Sequence, residues 1–236
     1  MTATKELSAV VIGASGGIGG AFADALNEEG SHARVWRFGR SLAGDAHLDL
    51  TDEASIEAAA ARVAAGPAPS LILVATGILG EGERGPEKAL RDLDPDWLAR
   101  VFAINTIGPA LVAKHFLPLL PRTGTPVFAA LSARVGSISD NRLGGWHGYR
   151  ASKSALNMLI RNFAIDAARR NDRAIVVGLH PGTVDTKLSE PFRGTVAPGK
   201  LFAPDRAALQ LLDVIDALKP GDSGKCFAWD GAEIPA

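Results

Sequence analysis

The sequence predicts an α/β fold, a doubly wound and mainly parallel sheet of about seven strands with helices on both faces. Three observations carry that prediction. Short apolar runs alternate with longer segments of helical periodicity along the whole chain. The first apolar run leads into a glycine-rich turn and then a helix, which is how a nucleotide-binding βα unit opens. The 236 residues are 47% hydrophobic and 22% charged, which suits one domain over 1–236 with a large core.

The elements follow in order. Leu7–Ile12 reads as a buried strand. Gly13-Ala-Ser15-Gly-Gly17-Ile18-Gly19 comes next, and then Ala21, Phe22, Ala25 and Leu26 at helical spacing up to Gly30. Glycines let backbone N–H groups close on a pyrophosphate, and the positive helix end favours it. An ordinary tight turn is the alternative, but the placement favours a nucleotide. Ala33–Phe38 is the second strand, ending at Gly39-Arg40-Ser41. An acid here would take the ribose 2′-hydroxyl and favour NAD(H), and none is present. Arg40 instead offers a fork for a 2′-phosphate, with Ser41 and Arg37 nearby, unless it is simply a solvated loop arginine. NADP(H) is therefore expected, with NAD(H) the alternative.

Ala46–Leu50 reads as a third short strand, and Asp49 at its end is either an acceptor for the adenine amino group or a plain turn residue. Thr51-Asp-Glu starts a helix with a capping hydroxyl and acids in the first turn, running to about Ala65. Leu71–Ala75 is a buried strand closed by Thr76-Gly77, and Gly80–Gly85 a flexible loop at the expected ligand edge. Asp94-Pro95 caps a helix carrying Trp97, Val101, Ile104 and Leu111 that bends near Gly108-Pro109. Asn105 sits among these apolar residues, and its amide needs partners, so a buried role is expected.

Pro126–Leu131 is the fifth strand and ends in Ser132-Ala-Arg-Val-Gly136. Tyr149, Leu156, Leu159, Ile160, Phe163 and Ala167 mark a long buried helix. Val176–Leu179 is the sixth strand, followed by His180-Pro181-Gly182-Thr-Val184-Asp-Thr186. Ala203–Leu218 is a helix and Cys226–Trp229 the last strand. Ligands of such sheets bind beyond the carboxyl ends of the strands, and the glycine loop, Thr76-Gly77, Ser132 and Pro181-Gly182 all fall there.

Composition excludes several functions. With 25 basic and 26 acidic residues the net charge is −1, so nothing points to nucleic acid or anionic lipid. The single Cys226 rules out an intrachain disulfide and a cysteine metal cluster, no metal site is expected, and a reducing cytoplasm is the natural home. No apolar run approaches the roughly 18 residues of a membrane span, and no signal peptide is expected, since the N-terminus runs straight into the first strand-like run.

The chemistry is expected at Tyr149 and Lys153, which share one helix face at a spacing of four residues. An ammonium about 4 Å from a phenol, at an effective dielectric near 20, stabilises phenolate by about 4 kcal/mol. That would bring a phenol pKa of about 10 down by as much as about 3 units, into general acid/base range. Tyr149 is the only tyrosine in the chain.

Taken together, the glycine spacing G-x-x-x-G-x-G, Asn105 in the fourth helix, a serine after the fifth strand, Tyr-x-x-x-Lys and P-G-x-V-x-T resemble the short-chain dehydrogenase/reductase family over essentially the whole chain. Ser-Ala-Arg-Val-Gly-Ser-Ile, Gly145-Trp-His-Gly-Tyr149 and the ending from Trp229 resemble its C-factor-like branch. The resemblance implies a Rossmann-type domain. Gly13, Gly17 and Gly19, with Ser15 and Ile18, would form the pyrophosphate turn. Tyr149 would be the general acid/base, and Lys153 would lower its pKa and hold the nicotinamide ribose. Asn105 would anchor a relay water. Thr186 would touch the carboxamide end, beside Pro181, Gly182, Val184, Thr76 and Gly77. Homo-oligomers, dimer or tetramer, are implied through the Asn105 and Tyr149 helices.

Three positions depart from the family pattern. Ile12 replaces the usual Thr, and Val74-Ala75-Thr76-Gly77 replaces Asn-Asn-Ala-Gly; both read as apolar packing. The third touches the site: in S-x-x-G the serine position is Ala133, not Ser132. Neighbours on a strand face opposite ways, so Ser132 serves only if the backbone shifts or bulges. It is kept as the nearest catalytic hydroxyl, with Ser137, Ser139 or a backbone N–H as alternatives. Leu143, Trp146, Leu188 and Phe192 are expected to give an apolar pocket under a segment from Leu188 to Ala203; Arg134 either steers an acidic group or, as is favoured, bonds loop carbonyls or faces solvent. The expected activity is NADP(H)-dependent reduction of a small carbonyl or oxidation of the alcohol. The alternative is a nucleotide-binding signalling or regulatory protein of the same fold.

Overall fold

A computed structural model describes residues 7–236, without the side chains of Phe192 and Thr195. Six parallel strands form the sheet: β1 (Ser8–Ile12), β2 (Arg34–Phe38), β3 (Pro69–Val74), β4 (Val127–Leu131), β5 (Ile175–His180) and β8 (Cys226–Ala228). They lie in the order β2-β1-β3-β4-β5-β8. The chain reverses its direction of travel across the sheet between β1 and β3, so a crevice opens at their carboxyl ends. Ile12 lies opposite Phe38 on one side and Val74 on the other.

Period-two burial assigns the two faces. Val10, Ile12, Ile72, Val74, Phe128, Ala130 and Val176 face α2 (Glu53–Ala64), α4 (Gly108–Phe116) and α5 (His147–Ala168) through Ile56, Phe116, Leu156 and Ile160. Ala9, Val11, Leu71, Leu73, Ala129, Leu131, Val177 and Leu179 face α1 (Gly17–Glu29) and α6 (Pro204–Ala217) through Phe22, Leu26, Leu211 and Ile215. Ile12 is 1% exposed, so the apolar residue at the usual threonine position packs as expected.

The expected strand Ala46–Leu50 does not form, which leaves six sheet strands rather than about seven. Gly44–Ala46 is a 3-10 turn, and pairing with Gly39 is limited to one bridge at His47. Leu48 and Leu50 are buried, so the alternation is real, but β2 is the sheet edge and this segment only brushes its end. The cap of α2 is Asp52, which accepts from Ala54 N–H at 3.1 Å; Thr51 instead donates to Asp49. Asp94 caps α3 (Pro95–Phe102) as expected, accepting from Trp97 N–H at 2.7 Å. A short parallel pair, β6 (Thr183–Val184) with β7 (Leu201–Phe202), pins both ends of the segment between them.

Candidate active site

The glycine turn closes the crevice. Gly13 has φ +92°, and a Cβ there would stand 2.5 Å from the Ala75 carbonyl oxygen. A Cβ on Gly19 would stand 2.3 Å from the Gly13 carbonyl oxygen, and one on Gly17 2.8 Å from Thr186 Cγ2. Only hydrogen fits at these three positions, and the contacts bring the turn, the Thr76 loop and Thr186 to one place. Thr76 Oγ1 is buried there without a hydrogen-bond partner among the described residues. Ile18 packs with Val184 and Phe202. Gly182, at φ +76°, is wedged against Phe202 and Trp229. The cradle and the orphaned hydroxyl fit a dinucleotide.

At the end of β2, Ser15 Oγ would lie 2.7 Å from a Cβ on Gly39, so that hydroxyl meets the strand end. Arg40 is exposed, beside Ser41, and its charge reaches Asp49 and Glu81. Arg37, expected nearby, is instead paired with Asp24 at 2.7 Å. Asp49 Oδ1 accepts from both Thr51 N–H and Thr51 Oγ1 at 2.8 Å, and these bonds hold its carboxyl below the usual range.

The bend expected near Gly108-Pro109 is a π-helical turn over Ala103–Ile107, with Gly108 N–H bonded to the Ala103 carbonyl. Pro109 has no N–H for the carbonyl of Asn105 four residues back, and its ring crowds that carbonyl, so the helix widens by one residue. Gly108 seats the turn, since a Cβ would stand 2.6 Å from Leu50 Cβ. Asn105 is fully buried. Its Oδ1 accepts from Ile78 N–H at 2.8 Å, and its Nδ2 donates to Ile78 O at 2.9 Å and Ser152 Oγ at 3.1 Å. Ser152 Oγ in turn donates to the Tyr149 carbonyl at 2.8 Å. Asn105 therefore fastens the Thr76–Ile78 loop to α5.

Tyr149 and Lys153 share a face of α5, as their spacing requires. Lys153 Nζ donates to Leu131 O at 2.7 Å and lies 5.8 Å from the Tyr149 ring centroid. A Cβ on Gly77 would stand 3.3 Å from Lys153 Nζ and from Asn105 Oδ1, so Gly77, Asn105 and Lys153 converge. In the fold, burial acts against the expected downward tuning of the phenol. Burial pushes Tyr149 up to about 12 and Lys153 down to about 8. Desolvation is the cause at both groups, and the Lys153 ammonium donates to a backbone carbonyl. At neutral pH Tyr149 is a protonated phenol, a proton donor.

The Ser132 hydroxyl is committed to a partner other than Tyr149. It donates to Asn157 Oδ1 at 2.5 Å, and Asn157 also accepts from the Cys226 thiol at 3.2 Å. Ala133 packs against Tyr149 with Leu79. No bulge rescues the register, and opposite-facing neighbours decide the outcome. Ser132→Ala is expected to lower stability by about 1 kcal/mol, from one lost hydrogen bond, while kcat stays within about threefold. Melting and steady-state assays on one preparation check this.

The pocket wall differs from expectation in part. Trp146 meets the Tyr149 ring edge-on, centroids 6.3 Å apart. Leu143 is 91% exposed and Leu188 38%, so Leu143 belongs to the solvent. The Phe192 side chain lies outside the described residues. Arg134 pairs with Asp140 at 3.1 Å.

One contributor to the site, Glu87, escaped the sequence reading. Glu87 is a buried carboxylate whose Oε2 accepts from Gly148 N–H at 3.1 Å, while its backbone carbonyl takes Trp146 N–H at 2.6 Å. It caps α5 from 61 residues away, because α5 has no capping side chain of its own. Trp146 holds φ +50°, a left-handed conformation costly for a large side chain, which sets its indole against Tyr149. A lone Glu in Gly-Pro-Glu carries no local signal for either contact.

The model for short chain dehydrogenases matches residues 8–196. C-signal of Myxococcus xanthus is 37% identical over 180 residues, covering 76% of this chain and 99% of that protein. The 1-hydroxy-2-glutathionyl-2-methyl-3-butene dehydrogenase of Rhodococcus sp. strain AD45 is 34% identical over 230 residues, covering 94% and 96%. The structure of an NADPH-bound carbonyl reductase from chicken fatty liver superposes with a TM-score of 0.79 at 26% identity, covering 98% and 99%.

Proposed function

The chain belongs to the short chain dehydrogenase family, in its C-factor-like branch, and we propose that it is an NADP(H)-dependent reductase of small carbonyl compounds. One observation carries the proposal: a buried phenol, protonated at neutral pH, stands beside a buried lysine and an asparagine-held loop at the carboxyl edge of the sheet. When bound, the nicotinamide supplies or accepts hydride. The chain's residues do the rest. The glycine turn would receive the pyrophosphate on its N–H groups, with Ser15 and Thr76 offering hydroxyls. Tyr149 would hand its proton to the oxygen of the nascent alkoxide, and Lys153, fixed by Leu131, would face the ribose and the phenol. Trp146, Leu79 and Ala133 pack around the Tyr149 ring.

Arg40 supports the 2′-phosphate preference, as does the NADPH bound to the chicken enzyme. Arg40→Ala is expected to raise the NADPH dissociation constant about 10- to 100-fold, the worth of charge-assisted bonds to a phosphate, and to leave NADH unchanged. Fluorescence titration with both nucleotides checks it; an equal loss for NADH would remove the assignment. The activity itself is tested by NADPH oxidation over aldehydes, ketones and quinones. Binding without turnover on all of them would favour a signalling role, which the likeness to C-signal keeps in view.

Pairing of copies belongs to the same proposal. Met158 and Ile165 on one face of α5, and Ile107 in the π turn, are apolar and exposed. Among the described residues no helix is long and apolar enough to cross a membrane. The lone thiol of Cys226 suits the reducing cytoplasm proposed as its location.

A further inference from the structure

We propose that Ala133 makes the site selective for carbonyls that arrive already electron-poor, vicinal diketones and quinones; this rests on the reductase reading above. Hydride addition places negative charge on the substrate oxygen, and each donor aimed at that oxygen is worth about 100- to 1,000-fold in kcat. On the β4 side of Tyr149 the position holds a methyl group. Ala133 is 8% exposed and packs with Tyr149 and Leu79.

The neighbouring hydroxyls are committed elsewhere. Ser132 Oγ donates to Asn157 at 2.5 Å. Ser137 Oγ donates to the Ala236 carbonyl at 3.5 Å and accepts from Asp140 N–H at 3.1 Å. Ser139 donates to the same Ala236 carbonyl through both its hydroxyl and, at 3.0 Å, its N–H. Arg134 is held by Asp140. The substrate oxygen thus receives the Tyr149 proton without a hydroxyl from this side.

A second carbonyl in conjugation lowers the acceptor orbital and spreads the developing charge. Such a substrate loses less from the missing donor than an isolated ketone does. Leu79, Ala133, Val135 and Trp146 also give the phenol an apolar surround that suits a flat dione or quinone. The step balances: the C=O π bond becomes a C–H bond and an O–H bond. Hydride comes from NADPH, which leaves as NADP⁺, and the proton comes from Tyr149, which is reprotonated from water.

The test compares Ala133→Ser with the parent chain, both full length with NADPH, on phenanthrenequinone and a phenyl-substituted vicinal diketone against acetophenone and cyclohexanone. The parent is expected to favour the activated pair by about 100-fold or more in kcat/KM. The variant should gain about tenfold or more on the simple ketones, with a smaller change on the activated pair. A readout free of turnover accompanies it. Tyr149 is the only tyrosine, so phenolate absorbance reports it alone, and a hydroxyl reaching the phenol lowers the pH at which it titrates. Equal parent rates on both pairs, or an unchanged ratio in a folded variant, overturn the proposal while leaving the reductase reading intact. Absence of turnover on every carbonyl overturns both. If the variant does not fold, the parent ratio decides.

Discussion

Tyr149→Phe is expected to cut NADPH-dependent carbonyl reduction about a thousandfold, within the range of a lost general acid, with nucleotide affinity and melting temperature retained. The substitution removes one oxygen and keeps the ring, so the packing with Trp146, Leu79 and Ala133 survives. The α5 register also survives, because Glu87, Ser152 and Asn105 hold it through backbone and neighbouring groups. The phenol is pushed up to about 12 by burial, so it stays protonated through neutral and mildly alkaline pH. Reduction by the parent should therefore not fall through loss of this proton below about pH 10, two units under that value. Steady-state kcat, nucleotide titration and melting of the same two proteins decide the matter. A kcat loss matched by an equal loss of nucleotide affinity would assign Tyr149 to binding, and no loss would remove it from the mechanism.

Much of the fold was legible because its signals are local. Strand–glycine–helix order, period-two apolar runs and Asp94-Pro95 each state their outcome within a few residues. Ala46–Leu50 misled because alternation reports which side chains are buried, and a buried extended segment needs no strand partner. The site was legible where geometry is intrahelical. Tyr149 and Lys153 must share a face, and an asparagine among apolar residues must find partners. The pKa direction was not legible, because it depends on burial depth, a tertiary fact. Glu87 capping α5 is the extreme case: two halves of one contact stand 61 residues apart, and neither shows a pattern. The Ser132/Ala133 register, in contrast, was readable from strand alternation alone, and the structure obeys it.

Lys153→Met is expected to remove most turnover, about 100-fold or more, and at the same time to stabilise the protein at neutral pH. Lys153 is 2% exposed, and its ammonium has one acceptor among the described residues, Leu131 O at 2.7 Å. Burial brings its pKa from 10.5 down to about 8. A cation with a depressed pKa is stable in the fold when neutral, so its full contribution is present above 10.5 and is lost as pH falls to about 8. Below about 8 the folded state carries a buried ammonium at a cost of about 3 kcal/mol, the free-energy equivalent of that shift. Methionine fills a similar volume without the charge, and leaving Leu131 O without its donor returns about 1 kcal/mol. The net gain of about 2 kcal/mol corresponds to a rise of about 4–8 °C in the melting temperature for a chain of this size. The sign then fixes a pH dependence. The stabilisation should be largest at pH 7, shrink from about 8 upward, cross zero at about pH 10 and become a loss of about 1 kcal/mol above 10.5, where lysine is neutral in both states and only the lost bond to Leu131 O counts. Melting curves of parent and variant across that range read it directly. A variant less stable than the parent at pH 7, or a difference independent of pH, would show that Lys153 is held as an integral part of the packing. A stability gain paired with lost turnover would identify its buried charge as strain kept for chemistry.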